Sequence, residues 1–565
     1  MQTSSPFFLI FVKWYLSNLF KLLIQSQVMK KNLSLILFLS IISLNTFAQK
    51  TKTSIRIPLE KGEKVWTGLI RQAHLMPFKA GFKFDFYGNN DGNQIQPLIL
   101  TNKGRYVWSE EPYAFEVKAN ELIISNIHAA IKTEKYGKTL PEVQRYVSKK
   151  YFPTSGNAPD SLLFSKPQFN TWIELTYNQN QADVLNYAHA IVDNGFPAGV
   201  LMIDASWQED YGYWRFHSGK FPNPKAMMDE LHAMGFKVML WVCPMVSPDQ
   251  AVIVRELMEK KAFLMDKRKP SDTWATATEP AMIKWWDGYS AQLDFTNPAA
   301  VKWFSDQMDL LQKNYGVDGF KFDAGDATHY PDFALPKVPS NPNRMVELYA
   351  KIGLKYPLNE YRACWKMAGQ PLAQRLSDKG HNWGDAKQLV PHMLVEGLVG
   401  YTFSCPDMIG GGEFTTFLNN ATIDQELVVR SAQTHALMPM MQFSVAPWRV
   451  LDTEHLAAVK KAVSLRAKFT PLIMKLMRES AQTGEPIIKH LEFVFPNQGF
   501  ENVSDQFMLG NEILVAPVQE KGQMTRNVIL PTGRWKAEEG TIYEGGKIIN
   551  VAAPLNNIPY FEKVM

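Results

Sequence analysis

The sequence predicts an α/β protein: a (β/α)8 TIM barrel flanked by an N-terminal β-sandwich and a C-terminal β-domain. Three observations lead to this fold class. Between residues 168 and 480, continuous apolar runs alternate with helical segments, which is typical of a parallel sheet covered on both faces. No glycine fingerprint for phosphate binding follows the first run, which favours a barrel over a doubly wound sheet. Short alternating strands with turn residues lie on either side of this region.

Residues 1–48 are predicted to be a leader. A basic start at Met29-Lys-Lys31, an apolar run over 33–44 and a small-residue end at Ala48 are the three regions of a secretory signal peptide. We therefore expect 29–48 to be removed, with Gln49 as the mature N-terminus. Residues 1–28 are interpreted as an over-extended translation start, with an N-terminal membrane anchor as the alternative. The protein is expected to be secreted across the inner membrane, periplasmic or extracellular, without stable membrane insertion of the mature chain.

Residues 49–167 are predicted to form the β-sandwich. Alternating runs such as Ala80–Tyr87 and Glu121–Ser125 are separated by turn clusters such as Gly88-Asn-Asn-Asp-Gly92. No helical periodicity interrupts these runs, so we expect strands only.

Residues 168–480 are predicted to form the barrel. Strands and helices are expected to alternate, with strands over 171–175, 199–204, 237–242, 318–323 and 401–404 and helices over 181–193 and 225–234. Residues 481–565 return to strand-like patterns, including the stretch 505–518, and are expected to form the C-terminal β-domain.

The composition and motifs argue against several classes of function. The net charge is +5 without a basic tract that contains aromatic residues, so we expect no nucleic-acid partner. The three cysteines (Cys243, Cys364 and Cys405) are far apart and are expected to be buried and apolar. The 11 histidines fall in no HxH or HExxH spacing, and there is no GxSxG motif. We therefore expect neither a metal site nor a cofactor.

Aspartates end several of the apolar runs. Asp204, Asp323 and Asp407 each follow such a run, and the C-terminal ends of barrel strands meet at one mouth, where barrel enzymes have their active sites. Like charges at one site repel, which costs stability, but paired carboxylates are the chemistry of glycoside hydrolysis. The alternative is that each aspartate caps the following helix.

Several segments resemble glycoside hydrolase family 31, the retaining α-glycosidases. Asp318-Gly-Phe-Lys-Phe-Asp-Ala-Gly-Asp326 is similar to the strand that carries the family's nucleophile. Gly199-Val-Leu-Met-Ile-Asp-Ala-Ser-Trp207 is similar to a strand with a sugar-binding acid. His381-Asn-Trp-Gly-Asp385 resembles the segment with the general acid/base, and matching segments continue into 505–555.

The resemblance implies a role for each of these positions. Asp323 takes the nucleophile position, and Lys321, on the same side of the strand, is expected to keep it ionised. Asp385 is the expected general acid/base, with Asp378 as the alternative. The remaining candidates are expected to bind sugar through charge-assisted hydrogen bonds (Asp204, Lys321, Arg362 and Asp407), to position neighbouring groups (Asp326), or to stack on sugar or pack in the core (Trp207, Trp241 and Trp383).

Departures from the family's common pattern suggest a branch. Cys405-Pro-Asp-Met-Ile-Gly-Gly411 lacks the histidine that α-glucosidases place before the aspartate, and Met202 stands where many members have an acid. These features resemble the branch that contains the animal myogenesis-regulating glycosidase and bacterial α-galactosidases. The resemblance therefore implies an exo-acting α-galactosidase that takes a small oligosaccharide or glycoside. An α-glucosidase, α-xylosidase or sulfoquinovosidase, and a non-catalytic sugar-binding protein, stay open as alternatives.

Overall fold

The structure is a computed structural model that describes residues 54–267, 279–418 and 423–564. The predicted leader, residues 1–48, lies outside the described residues, so its removal stays a prediction. Within these ranges, no helix combines the length and the apolar character needed to cross a bilayer.

The centre of the chain is an eight-stranded parallel barrel, as predicted. In chain order its strands are β1 (Gln168–Asn170), β2 (Val200–Ile203), β3 (Lys237–Val242), β4 (Gly319–Phe322), β5 (Asn359–Tyr361), β6 (Gln374–Arg375), β7 (Ser404–Cys405) and β8 (Gln442–Phe443). Each strand from β1 to β6 pairs with the next one, and β8 pairs with β1. A parallel bridge between Met408 and Gln442 brings the chain after β7 to β8, so the barrel is nearly closed. Every residue of β2, β4 and β5 is buried, as expected of strands covered on both faces.

Helices separate most of the barrel strands. The longer ones are Gln181–Asp193, Pro224–Ala233, Ala251–Glu259, Pro298–Tyr315, Pro342–Ile352, Trp383–Leu398, Gln425–Ala436 and Thr453–Thr483. At the start of seven of these helices, an Asn or Asp side chain accepts a backbone N–H. The capping residues are Asn180, Asn223, Asn297, Asn341, Asn382, Asp424 and Asp452. Residues 362–373, all described, connect β5 to β6 without a helix.

Small additions surround the barrel mouth. The chain after β3 forms a three-stranded antiparallel sheet from Met245–Val246, Gly288–Gln292 and Met282–Trp285. Two-stranded pairs join Gln208–Asp210 to Tyr213–Phe216 and Met265–Asp266 to Ala334–Leu335. The short helices are Leu162–Ser165, Trp172–Leu175, Phe414–Leu418, Pro447–Val450 and Leu491–Val494, and the 3-10 turns are Ile70–Leu75, Ala327–His329 and Gly353–Lys355.

Two antiparallel sheets precede the barrel. One orders the strands Ile55–Pro58, Glu121–Ser125, Ala114–Val117 and Lys83–Asp85, and the other orders Val65–Leu69, Ile95–Thr101, Arg105–Trp108 and Lys132–Lys135. The expectation of strands only was wrong, because the region also contains the helix Leu140–Tyr151. That helix begins with a proline at its second position and buries Leu140, Val143 and Val147, a spacing of three to four residues that marks an amphipathic helix.

Antiparallel strands follow the long helix Thr453–Thr483. Six of them form one sheet in the order Ile488–Lys489, Phe507–Leu509, Ile513–Val515, Tyr560–Val564, Arg534–Ala537 and Ile542–Glu544, and Thr525–Leu530 pairs with Lys547–Ala552. These strands enclose an apolar cluster of their own around Trp535 and Leu514. These strands form the C-terminal β-domain that the sequence predicted.

One barrel element differs from its prediction. Residues 171–175 were expected to be a strand, but β1 ends at Asn170 and Trp172–Leu175 is a helical turn. The Asn170 side chain accepts the N–H of Trp172 at 2.8 Å, which turns the chain out of the sheet directly after β1. The three cysteines are free and buried, as predicted.

Candidate active site

A cavity of about 430 Å³ lies at the C-terminal mouth of the barrel. Residues that directly follow β2, β4, β5 and β6 line it, which is where barrel strands place catalytic groups. The lining is Gly92, Trp172, Tyr177, Asp204, Ala205, Trp241, Trp286, Asp287, Lys321, Asp323, Asp326, Thr328, His329, Arg362, Ser377, Asp378, Glu413 and Phe414.

Asp323 follows β4 and is largely buried, with 14% of its side chain exposed. Its Oδ1 accepts a hydrogen bond from Nε of Arg362 at 3.0 Å, and its Oδ2 accepts one from Nε1 of Trp241 at 3.0 Å. Burial alone would raise the pKa of Asp323, but Arg362, Lys321 and Arg375 together lower that pKa well below its usual range. Asp323 is therefore an ionised carboxylate in a partly dry cavity, the state that a nucleophile needs.

Lys321 and Asp204 form a buried ion pair in the same cavity. Nζ of Lys321 lies 2.7 Å from Oδ2 of Asp204, and both side chains are at most 5% exposed. Burial works against the charge of Lys321, but the carboxylates of Asp204, Asp323 and Glu360 together outweigh it and raise the lysine pKa. Lys321 therefore stays charged, and the pair presents a donor and an acceptor to a polar ligand.

Arg362 joins Asp323 to Asp326. Its Nη1 and Nη2 donate to the two oxygens of Asp326 at 3.0 and 2.5 Å, while its Nε holds Asp323. Its Nη1 also donates to the carbonyl of Gly92 at 2.7 Å. A guanidinium fixed by so many acceptors has little freedom to rotate, so it fixes the direction of the Asp323 carboxylate.

The acid/base candidates lie in different places. Asp378 lines the cavity with 36% of its side chain exposed, and its Oδ1 accepts from Nη1 of Arg375 at 2.7 Å. Asp385 lies outside that lining, in the first turn of the helix Trp383–Leu398, where its Oδ2 accepts the N–H of Gly380 at 2.6 Å. The geometry does not support Asp385 as the acid/base, because its carboxylate is used to hold the chain at the start of that helix.

The three tryptophans that were predicted to stack on sugar or pack in the core also lie in different places: one lines the cavity and two do not. Trp241 reaches the cavity, but as a hydrogen-bond donor to Asp323. Trp207 is fully buried, with its indole N–H bonded to the carbonyl of Trp241, and so packs in the core. The indole of Trp383 donates to Asp424 at 3.0 Å, outside the cavity lining. Neither Trp207 nor Trp383 therefore stacks on a ligand in this cavity.

Asp407 also lies outside the cavity lining, although it follows β7 as predicted. Its side chain is completely buried and bonds to Arg375. Asp407 therefore presents no atom to the cavity, whereas Asp204, Lys321, Asp326 and Arg362 line it.

Sequence reasoning missed several cavity residues. They are Gly92, Trp172, Tyr177, Trp286, Asp287, Thr328, His329, Ser377, Glu413 and Phe414. Most of them lie in loops or in the hairpin after β3, and none ends a predicted strand. The Trp285-Trp286-Asp287 cluster between two short strands was the available signal, since exposed aromatics at a turn are unusual.

Within the described parts of the chain, no group of three or more His, Cys, Asp or Glu side chains is arranged to hold a metal ion. The cavity instead combines carboxylates with Arg362 and Lys321 and with exposed aromatic rings. This is a site for a neutral polar ligand with hydroxyl groups, in which charge-assisted hydrogen bonds fix orientation.

Known proteins share both the sequence and the fold. The murine myogenesis-regulating glycosidase is 33% identical over 438 residues, which are 75% of this chain and 60% of the murine protein. Alpha-glucosidase 2 of Bacillus thermoamyloliquefaciens is 24% identical over 417 residues, or 68% of this chain and 51% of that protein. A Flavobacterium johnsoniae dextranase complexed with glucose superimposes with a TM-score of 0.80 at 20% identity, over 91% of this chain and 67% of that one.

The chain thus spans 60% and 51% of the length of these two curated relatives. Residues 162–476 match the Glycosyl hydrolases family 31 TIM-barrel domain, and residues 484–564 match the Glycosyl hydrolase family 31 C-terminal domain. The two matched segments cover the described barrel and the strands that follow it. The chain belongs to glycosyl hydrolase family 31.

Proposed function

We propose that this protein is a retaining, exo-acting α-glycosidase in which Asp323 is the nucleophile and Asp378 is the general acid/base. One observation carries the proposal: both carboxylates line the same cavity, and Arg362 and Trp241 hold Asp323 ionised. Retaining glycosidases need one charged and one protonated carboxyl group on opposite sides of the glycosidic bond.

The reaction runs in two steps. In the first, an oxygen of Asp323 attacks the anomeric carbon while Asp378 gives its proton to the leaving oxygen, and the bond between that carbon and that oxygen breaks. In the second, Asp378 takes a proton from water, the water oxygen attacks the anomeric carbon, and the Asp323 carboxylate leaves. Two inversions return the sugar with its original configuration.

Other cavity groups are assigned to sugar binding. The Lys321–Asp204 pair offers a donor and an acceptor to sugar hydroxyls beside Asp323. Trp286, half exposed at the hairpin turn after β3, offers a flat apolar surface to a sugar face. Asp287 accepts from the hydroxyls of Tyr211 at 2.5 Å and Tyr177 at 3.1 Å, so it is a fixed acceptor.

For the sugar, we propose a terminal α-galactoside. The support is the resemblance at 405–411 and at Met202, together with the similarity to the murine glycosidase. The similarity to a bacterial α-glucosidase favours an α-glucoside as the second candidate. Comparison of kcat/KM for 4-nitrophenyl α-galactoside, α-glucoside and α-xyloside decides between them. A higher value for the glucoside would keep the mechanism and overturn the galactose assignment.

Azide distinguishes the two catalytic roles. With 4-nitrophenyl α-galactoside, Asp378→Ala should lower kcat about 10²–10⁴-fold, and azide should restore turnover and give the α-galactosyl azide, because azide needs no general base. Asp323→Ala with azide should instead give the β-galactosyl azide, since azide then replaces the missing nucleophile.

Asp385→Ala is the matched control for Asp378→Ala. It should keep the wild-type kcat, because its carboxylate bonds to the chain and not to the ligand. If Asp385→Ala loses activity that azide restores and Asp378→Ala does not, the roles of these two residues are reversed.

We also propose export across the inner membrane. The support is the signal-peptide pattern over 29–48. N-terminal sequencing of the protein from fractionated cells should find Gln49 first, in the periplasm or the medium. Peptides from residues 1–28 in the mature protein would contradict this.

A further inference from the structure

Asp407 lies behind the cavity, between two segments of its wall. Its side chain is fully buried, and its Oδ1 accepts from Nη1 of Arg375 at 2.6 Å. Its Oδ2 accepts two backbone N–H groups, that of Lys379 at 2.8 Å and that of Gly412 at 3.1 Å. The carboxylate thereby joins the chain after β6 to the chain after β7.

The same arginine nitrogen also holds the proposed acid/base. Nη1 of Arg375 lies 2.7 Å from Oδ1 of Asp378, and Lys379 is the next residue in the chain. Asp407 therefore acts on Asp378 from two directions, through the Arg375 side chain and through the backbone. Arg375 cannot turn away, because its Nε also donates to Glu360 at 3.1 Å and its side chain is 1% exposed.

Two features of the backbone around Asp407 favour its close approach to Asp378. Asp407 has a φ of 71°, in the left-handed region that residues other than glycine rarely adopt. A Cβ atom on Gly412 would lie 2.8 Å from Oδ1 of Asp407 and 3.1 Å from Oδ1 of Asp378, so only glycine lets the two carboxylates approach there. Such strain persists only where surrounding contacts hold it.

We propose that Asp407 is a positioning residue that fixes the direction of the Asp378 carboxyl group through Arg375 and the backbone of Lys379. It contacts no sugar. The inference rests on the proposed function, because it gives Asp378 the proton-donating role. In Asp407→Asn one of the two accepting oxygens becomes an amide NH2 group. The backbone N–H groups that this oxygen held, or Arg375, then lose their acceptor, and Asp378 is no longer fixed from both directions.

The leaving group separates this role from a purely structural one. A methyl glycoside needs a proton on its leaving oxygen, whereas 4-nitrophenolate departs with much less help. Misplacing the acid should therefore slow the first step mainly for poor leaving groups. A general loosening of the fold would slow both substrates alike.

The experiment measures kcat/KM of the full chain for methyl and 4-nitrophenyl α-galactosides, or for the matching glucosides if those are the better substrates. In Asp407→Asn, the ratio of the 4-nitrophenyl to the methyl value should rise at least about tenfold over the wild type. In an Asp378→Ala background, Asp407→Asn should change this ratio little further, because the carboxyl group that Asp407 positions is absent.

Asp424→Asn is the matched control, since Asp424 also follows β7 but caps the helix Gln425–Ala436, a role that asparagine fills equally well. It should leave the ratio unchanged. Gly412→Ala is the second variant, which displaces the two carboxylates without removing a charge and should raise the ratio as well. If Asp407→Asn does not fold, Gly412→Ala alone tests the inference.

Suppose that Asp378→Ala raises the ratio. The inference is then overturned if Asp407→Asn and Gly412→Ala lower kcat/KM equally for both substrates, or do not lower it at all. If Asp378→Ala itself leaves the ratio unchanged, the proposed acid/base assignment fails instead.

Discussion

At the scale of single residues, the state of Asp323 is decided by the cations around it. Burial penalises a carboxylate, yet Arg362 lies 3.0 Å from its Oδ1 and Lys321 projects from the same strand. These charges lower the pKa of Asp323 below its usual range. The proposed nucleophile therefore stays ionised well into the acid range.

Arg362→Met should shift the pH dependence of activity. Removing the guanidinium leaves burial to raise the pKa of Asp323, so the acid limb of the kcat/KM profile should move to higher pH. The value at neutral pH should fall at least about tenfold, because a charged hydrogen bond of about 1.5–3 kcal/mol is lost. The profile with 4-nitrophenyl α-galactoside measures both effects.

Arg344→Met is the control for that variant, because Arg344 pairs with Glu347 of its own helix and lies outside the cavity lining. It should leave the profile unchanged. An acid limb that stays in place in Arg362→Met would mean that Arg362 does not set the ionisation of Asp323.

At the scale of elements, the hairpin after β3 brings an aromatic ring to the barrel mouth. Strands Met282–Trp285 and Gly288–Gln292 are joined by a two-residue turn that carries Trp286 and Asp287. Trp286 is 50% exposed, and its ring lies 5.8 Å from the Arg362 guanidinium and 5.8 Å from the His329 ring. The hairpin therefore brings the exposed ring of Trp286 to the cavity, while Ile283, Trp285 and Ala291 pack in the core.

Trp286→Ala should weaken substrate binding. The ring is already half in solvent, so its loss should leave the melting temperature within about 1 °C but raise KM about tenfold, equivalent to about 1.4 kcal/mol. Steady-state kinetics and a thermal melt measure the two. Tyr289→Ala, in the same hairpin but 60% exposed and outside the cavity lining, should change neither. A KM that does not change in Trp286→Ala would remove this residue from the binding surface.

At the scale of the whole molecule, the region before the barrel completes the cavity. Nδ2 of Asn90 donates to Oδ1 of Asp326 at 3.0 Å, and its Oδ1 accepts the N–H of Ala327 at 2.8 Å. The carbonyl of Gly92 accepts from Arg362 in the same turn. The barrel alone therefore does not fix the Asp326–Arg362 pair that orients the nucleophile.

Asn90→Ala should lower kcat/KM although Asn90 lies far from the barrel in the sequence. The Asn90 side chain makes three buried hydrogen bonds, and the two to Asp326 and Ala327 hold the site. These two contribute about 1 kcal/mol each, so a loss of about tenfold is expected. Asn89→Ala is the control, because Asn89 only accepts the N–H of Asp91 within the same turn. Equal rates for both variants would show that the barrel holds its own site.

The barrel and most of the charged residues that line its cavity could be predicted from the pattern of residues along the chain. Buried parallel strands must be apolar throughout, so a polar residue after such a run marks the mouth, and Asp204 and Asp323 were found this way. The residues 171–175 show the limit of this reasoning, since an apolar run reads as a strand until the Asn170 side chain turns the chain.

Which carboxylate faces the cavity depends on contacts between distant parts of the chain. Asp378, Asp385 and Asp407 all lie close to strand ends or helix starts in the sequence, yet the first lines the cavity, the second holds a helix start and the third is buried behind the wall. Their directions depend on Arg375 and on backbone groups that lie far away in the chain. Sequence position fixes the depth of a side chain along a barrel, but loop conformation fixes where that side chain points.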